Sequence, residues 1–219
     1  MDARHLVLRP VRLSDEEVLL AAQRTLGKEG FDFIVGYRDG MSWAEFVGFL
    51  KQQHVGGELL EPWAPATFLL ADAGNTVVGR MSIRHLLNER LFPIGGHVGY
   101  VVLPQYRRRG FATEILRQSL IIARSYDIAP VLVTCDEGNV ASARTIERCG
   151  GVLENVVDNP EGGPPSSGKA SAVRDNMRGL VFRRALSLLN RRYPSRREAL
   201  AHGCRARRLR RRTGRHHSE

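Results

Sequence analysis

Along the first 158 residues, short apolar runs alternate with longer stretches whose apolar residues recur at helical spacing. Runs such as RHLVLRPV and PVLVTCD predict strands, whereas ATEILRQSLIIARSYD predicts an amphipathic helix. Capping boxes at Ser14/Glu17 and Ser42/Glu45 predict the starts of two further helices. The predicted order is β, α, α, β, β, β, α, β, α, β, which favours a mixed sheet with helices on both faces.

Turn and linker residues divide the chain further. Two apolar runs flank the tetrapeptide DAGN within residues 66–85, a hairpin pattern in which glycine and asparagine suit the turn. The stretch NPEGGPPSSGK predicts a linker over residues 159–169. In residues 170–219, apolar positions at helical spacing predict one basic amphipathic helix, followed by a disordered arginine-rich end. The predicted organisation is therefore a folded domain over residues 1–158, a linker and a basic tail.

The net charge of +10 belongs to that tail. Residues 169–219 hold 16 Lys and Arg against 3 Asp and Glu, so contact with nucleic acid is expected only there. No apolar run has the length of a membrane span or a signal peptide, which predicts a cytoplasmic protein. The three cysteines lack the spacing of a zinc site, so free thiols and no metal are expected.

The stretch LPQYRRRGFATEI, at residues 103–115, joins a predicted strand to a predicted helix through a glycine turn. Such a turn directs unpaired backbone N–H groups and the positive end of a helix dipole to one place, which suits a phosphate group. Gly110 allows the sharp turn, Ala112 keeps the first helical turn thin, and Thr113 adds a hydroxyl donor. On this motif alone, a basic surface loop that precedes a helix is the simpler interpretation.

A longer pattern changes that interpretation. The sequence VGYVVLPQYRRRGFATEIL, followed by a strand and NVASARTIERCGGVLE, resembles the acetyl-CoA-binding core of the GNAT superfamily of N-acetyltransferases. The resemblance covers most of residues 4–158 and includes R/Q-x-x-G-x-G/A at Arg107 and N-x-x-S/A at Asn139. The string RHLLNE…GGHVGYVV is similar to uncharacterised predicted acetyltransferases of that superfamily. The resemblance implies the GNAT fold, an α/β (α+β) class with a mixed, mostly antiparallel sheet and splayed parallel strands at the cofactor site.

The resemblance also implies roles for particular residues. Acetyl-CoA would be the acetyl donor, and a primary amine of a small molecule or protein would accept the acetyl group directly. The main chains of Tyr100, Val101 and Val102 would pair with the pantetheine arm. Asn139 would hydrogen-bond the same arm, and a helix N-cap is its alternative or additional role. The pyrophosphate would be held by consecutive residues, namely Arg107, Arg108, Arg109, Gly110, Phe111, Ala112 and Thr113.

The acid and base groups are less well defined. Many family members protonate the departing thiolate with a tyrosine on the last core helix, where this chain has Ile146. His97 and Glu89 are the candidate catalytic residues, and His85 lies near the same predicted pocket. The alternatives are a half-buried, satisfied side chain for each histidine and a solvated loop charge for Glu89. Cys135 is a less favoured candidate nucleophile, because a small buried residue closing a strand is the simpler interpretation.

Ile146 also favours a second function, a CoA-binding regulatory or nucleic-acid-associated module without turnover. The contact with nucleic acid would then be made by the arginine-rich tail. No clear strand is predicted after residue 158, which suggests that the tail replaces the seventh strand that the superfamily normally has. The sequence leaves open which amine is acetylated and whether the chain forms a homodimer.

Overall fold

The described part of the chain forms strands and helices that are interspersed along the sequence. The computed structural model describes residues 1–56, 64–87, 95–159 and 177–184. Its strands are β1 (Leu6–Arg9), β2 (Ala66–Ala73), β3 (Val77–Arg84), β4 (Val98–Val102), β5 (Val131–Asp136), β6 (Val152–Asn159) and β7 (Met177–Arg184). Its helices are α1 (Glu16–Gly27), α2 (Trp43–Val55), α3 (Phe111–Ser125) and α4 (Val140–Arg148). From β1 to β6 the order of strands and α-helices is the predicted one.

One of the two predicted capping boxes forms. Ser42 accepts from Glu45 N–H and donates its own N–H to the Glu45 carboxylate at 2.8 Å, so α2 begins directly after Ser42. The box at Ser14 was predicted wrongly, because Asp15 takes the position before α1. The buried Asp15 carboxylate binds the Arg9 guanidinium at 2.8 Å, which ties the start of α1 to β1.

The strands form two sheets whose ladders are all antiparallel. One sheet has the order β1-β2-β3-β4 and the other has the order β5-β7-β6. The hairpin between β2 and β3 turns at Gly74 and Asn75, both with a φ of 65°, the left-handed conformation that this tight turn needs. Apart from the junction of the two sheets described below, the predicted mostly antiparallel arrangement is thus confirmed.

Apolar side chains cover both faces of the first sheet. Helix α3 contributes Phe111, Ile115 and Leu116 to a core that also includes Ile146 of α4. A second core contains residues of α1, α2 and the segment between them, and Phe46 is one of its fully buried members. Helices therefore lie on both faces, and the predicted fold class is confirmed.

A buried arginine connects the segment between α1 and α2 to the sheet. Arg80 of β3 is 1% exposed and donates from Nη2 to Asp32 O at 2.9 Å and from Nε to Phe33 O at 3.1 Å. Its guanidinium also lies over the rings of Phe31 and Phe68. Burial lowers the pKa of Arg80 to about 10, so the side chain stays charged at neutral pH.

The presence of β7 corrects the expectation that no seventh strand follows residue 158. β7 lies between β5 and β6, where Val181 is opposite Thr134 and Phe182 is 1% exposed. The adjacent residues Val181 and Phe182 are both buried, so both faces of β7 are covered there, and a strand buried on both faces is apolar without alternation. Its apolar run was therefore mistaken for one face of a helix. The helix prediction is wrong for residues 178–184, and its remainder and the arginine-rich end lie outside the described residues. The seventh strand has therefore not been replaced.

Candidate functional site

The two sheets meet where β4 and β5 begin. His97, directly before β4, donates its backbone N–H to Leu132 O at 2.7 Å, and Leu132 N–H donates to His97 Nδ1 at 3.0 Å. Beyond this contact, β4 pairs with β3 and β5 pairs with β7. Helix α3 connects β4 to β5 as a crossover, the kind of connection that parallel strands require. The result is the expected pair of splayed strands, with a gap that starts at His97.

Two hydrogen bonds determine which main-chain groups of β4 face this gap. At one end of the ladder Arg84 N–H donates to His97 O at 2.8 Å, and at the other end Leu103 N–H donates to Val78 O at 2.9 Å. In an antiparallel ladder every second residue bonds to the same partner strand. Gly99 and Val101 therefore direct both of their main-chain groups to β3, as do the His97 C=O and the Leu103 N–H.

The residues between them direct their main-chain groups toward the gap. These are Val98, next to the contact with β5, and Tyr100 and Val102 further along the gap. The Val102 carbonyl accepts from Arg107 Nε at 3.2 Å. Val101 is opposite Arg80 in the ladder with β3, so its N–H and C=O are engaged there. The edge available to an extended ligand therefore consists of both main-chain groups of Tyr100 and the N–H of Val102, without Val101.

The turn after β4 exposes the N-terminus of α3. Arg108 and Gly110 have φ values of 61° and 81°, in the left-handed region, where a side chain other than that of glycine is disfavoured. Gly110 occupies the N-cap position of α3 and no side chain caps the helix. The first N–H groups of a helix have no intrahelical acceptor, so those of Phe111, Ala112 and Thr113 form a favourable environment for an anion.

The three arginines of this turn differ in what they contact. Arg107 forms a two-pronged ion pair with Glu29, with Nη2 donating to Oε2 at 2.6 Å, so its guanidinium fastens the turn to the end of α1. The guanidinium groups of Arg108 and Arg109 are exposed and have no ion pair or hydrogen bond with the described residues. Arg107 was expected to contact the pyrophosphate, and its observed contacts are structural. Arg108 and Arg109 remain available for a ligand.

Side-chain hydroxyls meet on the α4 side of the gap. The Tyr100 hydroxyl lies 2.9 Å from Ser142 Oγ, in the first turn of α4. Burial raises the pKa of Tyr100 to about 12, so the phenol is protonated at neutral pH. The family resemblance implied a role only for the main chain of Tyr100, and this hydroxyl pair was not predicted. Alternation along β4 could have placed the ring on the face of the sheet where α3 and α4 pack.

Cys135 lies beside this pair at the end of β5. It is half-buried, and burial raises the pKa of its thiol to about 11. Only a thiolate is an effective nucleophile, and little forms at neutral pH with such a pKa. The geometry therefore favours the interpretation of Cys135 as a packed residue over that of a nucleophile.

Helix α4 positions Asn139 and Ile146, which the sequence had singled out. Asn139 is its N-cap, and its Oδ1 accepts from Ser142 N–H at 3.1 Å. This confirms the capping role and leaves the amide NH₂ of Asn139 as a donor for a ligand. Ile146 is 2% exposed and packs in the core, so it offers no proton to a leaving group.

The structure gives no support to His97 as a general base. The side chain is 4% exposed, and its Nδ1 is engaged by Leu132 N–H. Burial, followed by the charge of Arg84, lowers the pKa of His97 to about 4. A histidine with so low a pKa is a weak proton acceptor at neutral pH. Glu89 lies outside the described residues, and His85 contacts Thr67 through Nε2 at 2.8 Å.

The low pKa of His97 predicts a loss of stability in acid. The unfolded chain binds this proton near pH 6.5 and the folded chain only near pH 4, so stability falls as the pH decreases through that window. Between pH 7 and pH 5 we expect this group to reduce the free energy of unfolding by about 2 kcal/mol. Urea unfolding at both pH values would measure it. The variant His97→Asn lacks the titrating group and should lose less; an equal loss would contradict the assignment.

The described part of the chain has neither a metal-binding cluster nor a membrane-spanning helix. No cluster of three or more His, Cys, Asp or Glu side chains could hold a metal ion there. No helix in that part has the length and apolar character needed to cross a membrane.

Comparison with solved structures shows similar folds. RimJ of Mycobacterium smegmatis, solved with CoA-disulfide, is 15% identical, with a TM-score of 0.59 over 90% of this chain and 89% of that one. The microcin C7 self-immunity acetyltransferase MccE, solved with acetyl-CoA and AMP, is 16% identical, with a TM-score of 0.56 over 83% and 93%. RimL, a ribosomal L7/L12 α-N-protein acetyltransferase solved with CoA, is 17% identical, with a TM-score of 0.54 over 81% and 93%.

Comparison of sequences identifies the family. No curated protein matches the chain at significant similarity. The family described as Acetyltransferase (GNAT) domain matches residues 5–152, which is more than half of the chain. The splayed strands and the uncapped α3 lie within that match. The predicted family is therefore confirmed, and the chain belongs to the GNAT acetyltransferases.

Proposed function

We propose that the chain transfers the acetyl group of acetyl-CoA directly to a primary amine of a small molecule or protein. The observation that carries this proposal is the adjacency of two features, the gap-facing main chain of β4 and the uncapped start of α3. The first offers hydrogen bonds to an extended amide-containing arm, and the second suits a pyrophosphate. Acetyl-CoA has both of these chemical parts.

Each part of the donor has candidate partners in the chain. Tyr100 and the N–H of Val102 would bond the pantetheine arm, because their main-chain groups point toward the gap. The amides of residues 111–113 would bind the pyrophosphate, with Arg108 and Arg109 adding charge-assisted bonds. Asn139 would donate its amide NH₂ to the arm from the opposite side of the gap.

The leaving thiolate needs a proton, which Ile146 does not supply. The hydroxyl pair of Tyr100 and Ser142 provides donors at the start of the same helix. When the amine attacks the thioester carbon, the C–N bond forms and the C–S bond breaks. The hydroxyl pair would give a proton to sulfur, while the proton lost by the amine goes to solvent or to a base outside the described residues.

The test uses the full chain with acetyl-CoA and a panel of primary amines. The panel includes small amines and peptides with a free N-terminus, since RimL is described as an α-N-protein acetyltransferase. Calorimetry should show acetyl-CoA binding, and free thiol should be released with at least one amine. Binding with no turnover on any amine would favour the regulatory module, and no binding would refute both functions.

The turn arginines allow a specific prediction. Replacing Arg108 and Arg109 together by alanine should raise the Kd for acetyl-CoA by about tenfold, because charge-assisted bonds to the pyrophosphate are lost. Calorimetry would measure the change, and binding of pantetheine, which has no pyrophosphate, should not change. Arg117→Ala is the matched control, because Arg117 lies on α3 and pairs with Glu114. An equal loss of pantetheine binding would contradict the assignment.

A further inference from the structure

We propose that His97 is a positioning residue whose imidazole fastens β5 to β4 and thereby sets the gap in which the acetyl donor binds. The proposal rests on the proposed function for its account of the ligand. It gives His97 a different task from the acid–base role expected from the sequence.

A single residue of β5, Leu132, makes two hydrogen bonds to His97. Leu132 accepts the His97 backbone N–H at 2.7 Å and donates its own N–H to His97 Nδ1 at 3.0 Å. The second bond replaces a strand-to-strand backbone bond with a side-chain acceptor. Nδ1 can accept a hydrogen bond only when it carries no hydrogen. This bond therefore requires a neutral imidazole with its hydrogen on Nε2.

The main chain next to His97 is tightly constrained. Gly96 has a φ of 56°, and a Cβ built there would lie 3.0 Å from Leu132 O and 3.2 Å from Thr134 N. Arg84 Nη1 donates to Gly95 O at 2.8 Å and to Gly96 O at 3.0 Å. The segment that carries His97 is therefore held on one side by β5 and on the other by β3.

The contact at His97 also affects groups further along the gap. Tyr100 follows His97 by three residues and reaches Ser142 across the gap. Because the two sheets separate after His97, the position of β5 relative to Tyr100 depends on the contact at Leu132. Among the described residues, the charged group whose field acts on the imidazole is Arg84 of β3, which disfavours a second positive charge.

Two substitutions separate positioning from proton transfer. In His97→Asn, the side-chain oxygen lies at the place of Nδ1 and can still accept from Leu132 N–H. In His97→Leu, that acceptor is lost, and neither variant has a titrating ring. We expect His97→Leu to raise the Kd for acetyl-CoA by about tenfold, since a buried N–H loses its partner, and His97→Asn to stay within about threefold of the wild type.

A role as general base predicts a different result. Both variants would then lose kcat to the same extent, and acetyl-CoA binding would be unchanged, which would overturn the proposal. Acetyl-CoA binding that is retained in His97→Asn and weakened in His97→Leu supports the positioning role. A kcat/KM profile of His97→Asn that keeps the pH dependence of the wild type supports it further.

A readout without any ligand distinguishes failure of this proposal from failure of the proposed function. Hydrogen exchange of the Leu132 amide should be slow in the wild type and in His97→Asn, and at least about tenfold faster in His97→Leu. If the wild type binds no acetyl-CoA but this exchange pattern holds, the proposed ligand is wrong, and His97 does hold β5 against β4. Equal exchange of the Leu132 amide in all three proteins overturns the proposal that the His97 imidazole holds β5 to β4.

Discussion

Replacing Tyr100 by phenylalanine is expected to lower kcat by about 10²-fold, the lower end of what a positioned proton donor contributes. The ring keeps its packing, and only the hydroxyl that lies 2.9 Å from Ser142 Oγ is removed. The KM for acetyl-CoA should change little, because the main-chain groups of Tyr100 remain. Steady-state release of free thiol, with the amine found in the panel, measures both constants.

The controls test whether the two hydroxyls act together. Ser142→Ala should lower kcat by a similar factor, and the double variant should be little worse than either single variant, as expected of groups that act as a unit. If the effects of the two substitutions multiply, the hydroxyls act independently. A Tyr100→Phe enzyme with the kcat of the wild type would show that the thiolate leaves without this proton.

The pKa of Tyr100 gives a second check on the same proposal. Burial raises it to about 12, so the phenol remains protonated throughout the pH range in which most proteins stay folded. The loss of rate in Tyr100→Phe should therefore be the same at every pH between about 6 and 9. A loss that disappears with rising pH would assign the proton transfer to a different group.

Local signals in the sequence were sufficient where a structure depends on neighbouring residues. The turn at Gly74 and Asn75 and the capping box at Ser42 both form as predicted, because each is closed by hydrogen bonds within a few residues. The box at Ser14 fails because Asp15 finds a distant partner in Arg9 of β1. A local pattern does not reveal such a competing contact.

The candidate site was predicted only in its local parts for the same reason. The glycine turn and the N-cap at Asn139 are short-range features and were found. The contact between Tyr100 and Ser142 spans 42 residues, and it depends on the shared core that holds Tyr100 of β4 and Ile146 of α4. The ladder register that removes Val101 from the ligand-facing edge is also a long-range property. Likewise, β7 is stabilised by two partner strands that its own residues do not specify.

The largest loss of stability is expected for Gly79→Ala, at about 3 kcal/mol in the free energy of unfolding, at the upper end for overpacking. A Cβ at Gly79 would overlap Val101 O and approach Val102 Cα to 3.2 Å. These are backbone atoms of β4, so the overlap cannot be relieved by turning a side chain. For a chain of this size the change corresponds to a decrease in Tm of about 10 °C, which calorimetry would measure.

A matched substitution with the opposite expected sign controls for the added methyl group. Gly48 lies inside α2, and a Cβ there meets no atom within 4 Å, so Gly48→Ala should stabilise the protein by about 0.5–1 kcal/mol. Because Gly79 is opposite Val102 in the ladder, Gly79→Ala should also weaken acetyl-CoA binding at temperatures where the variant is folded. A folded Gly79→Ala protein with unchanged Tm would show that β4 moves freely, and unchanged affinity would place the donor away from β4.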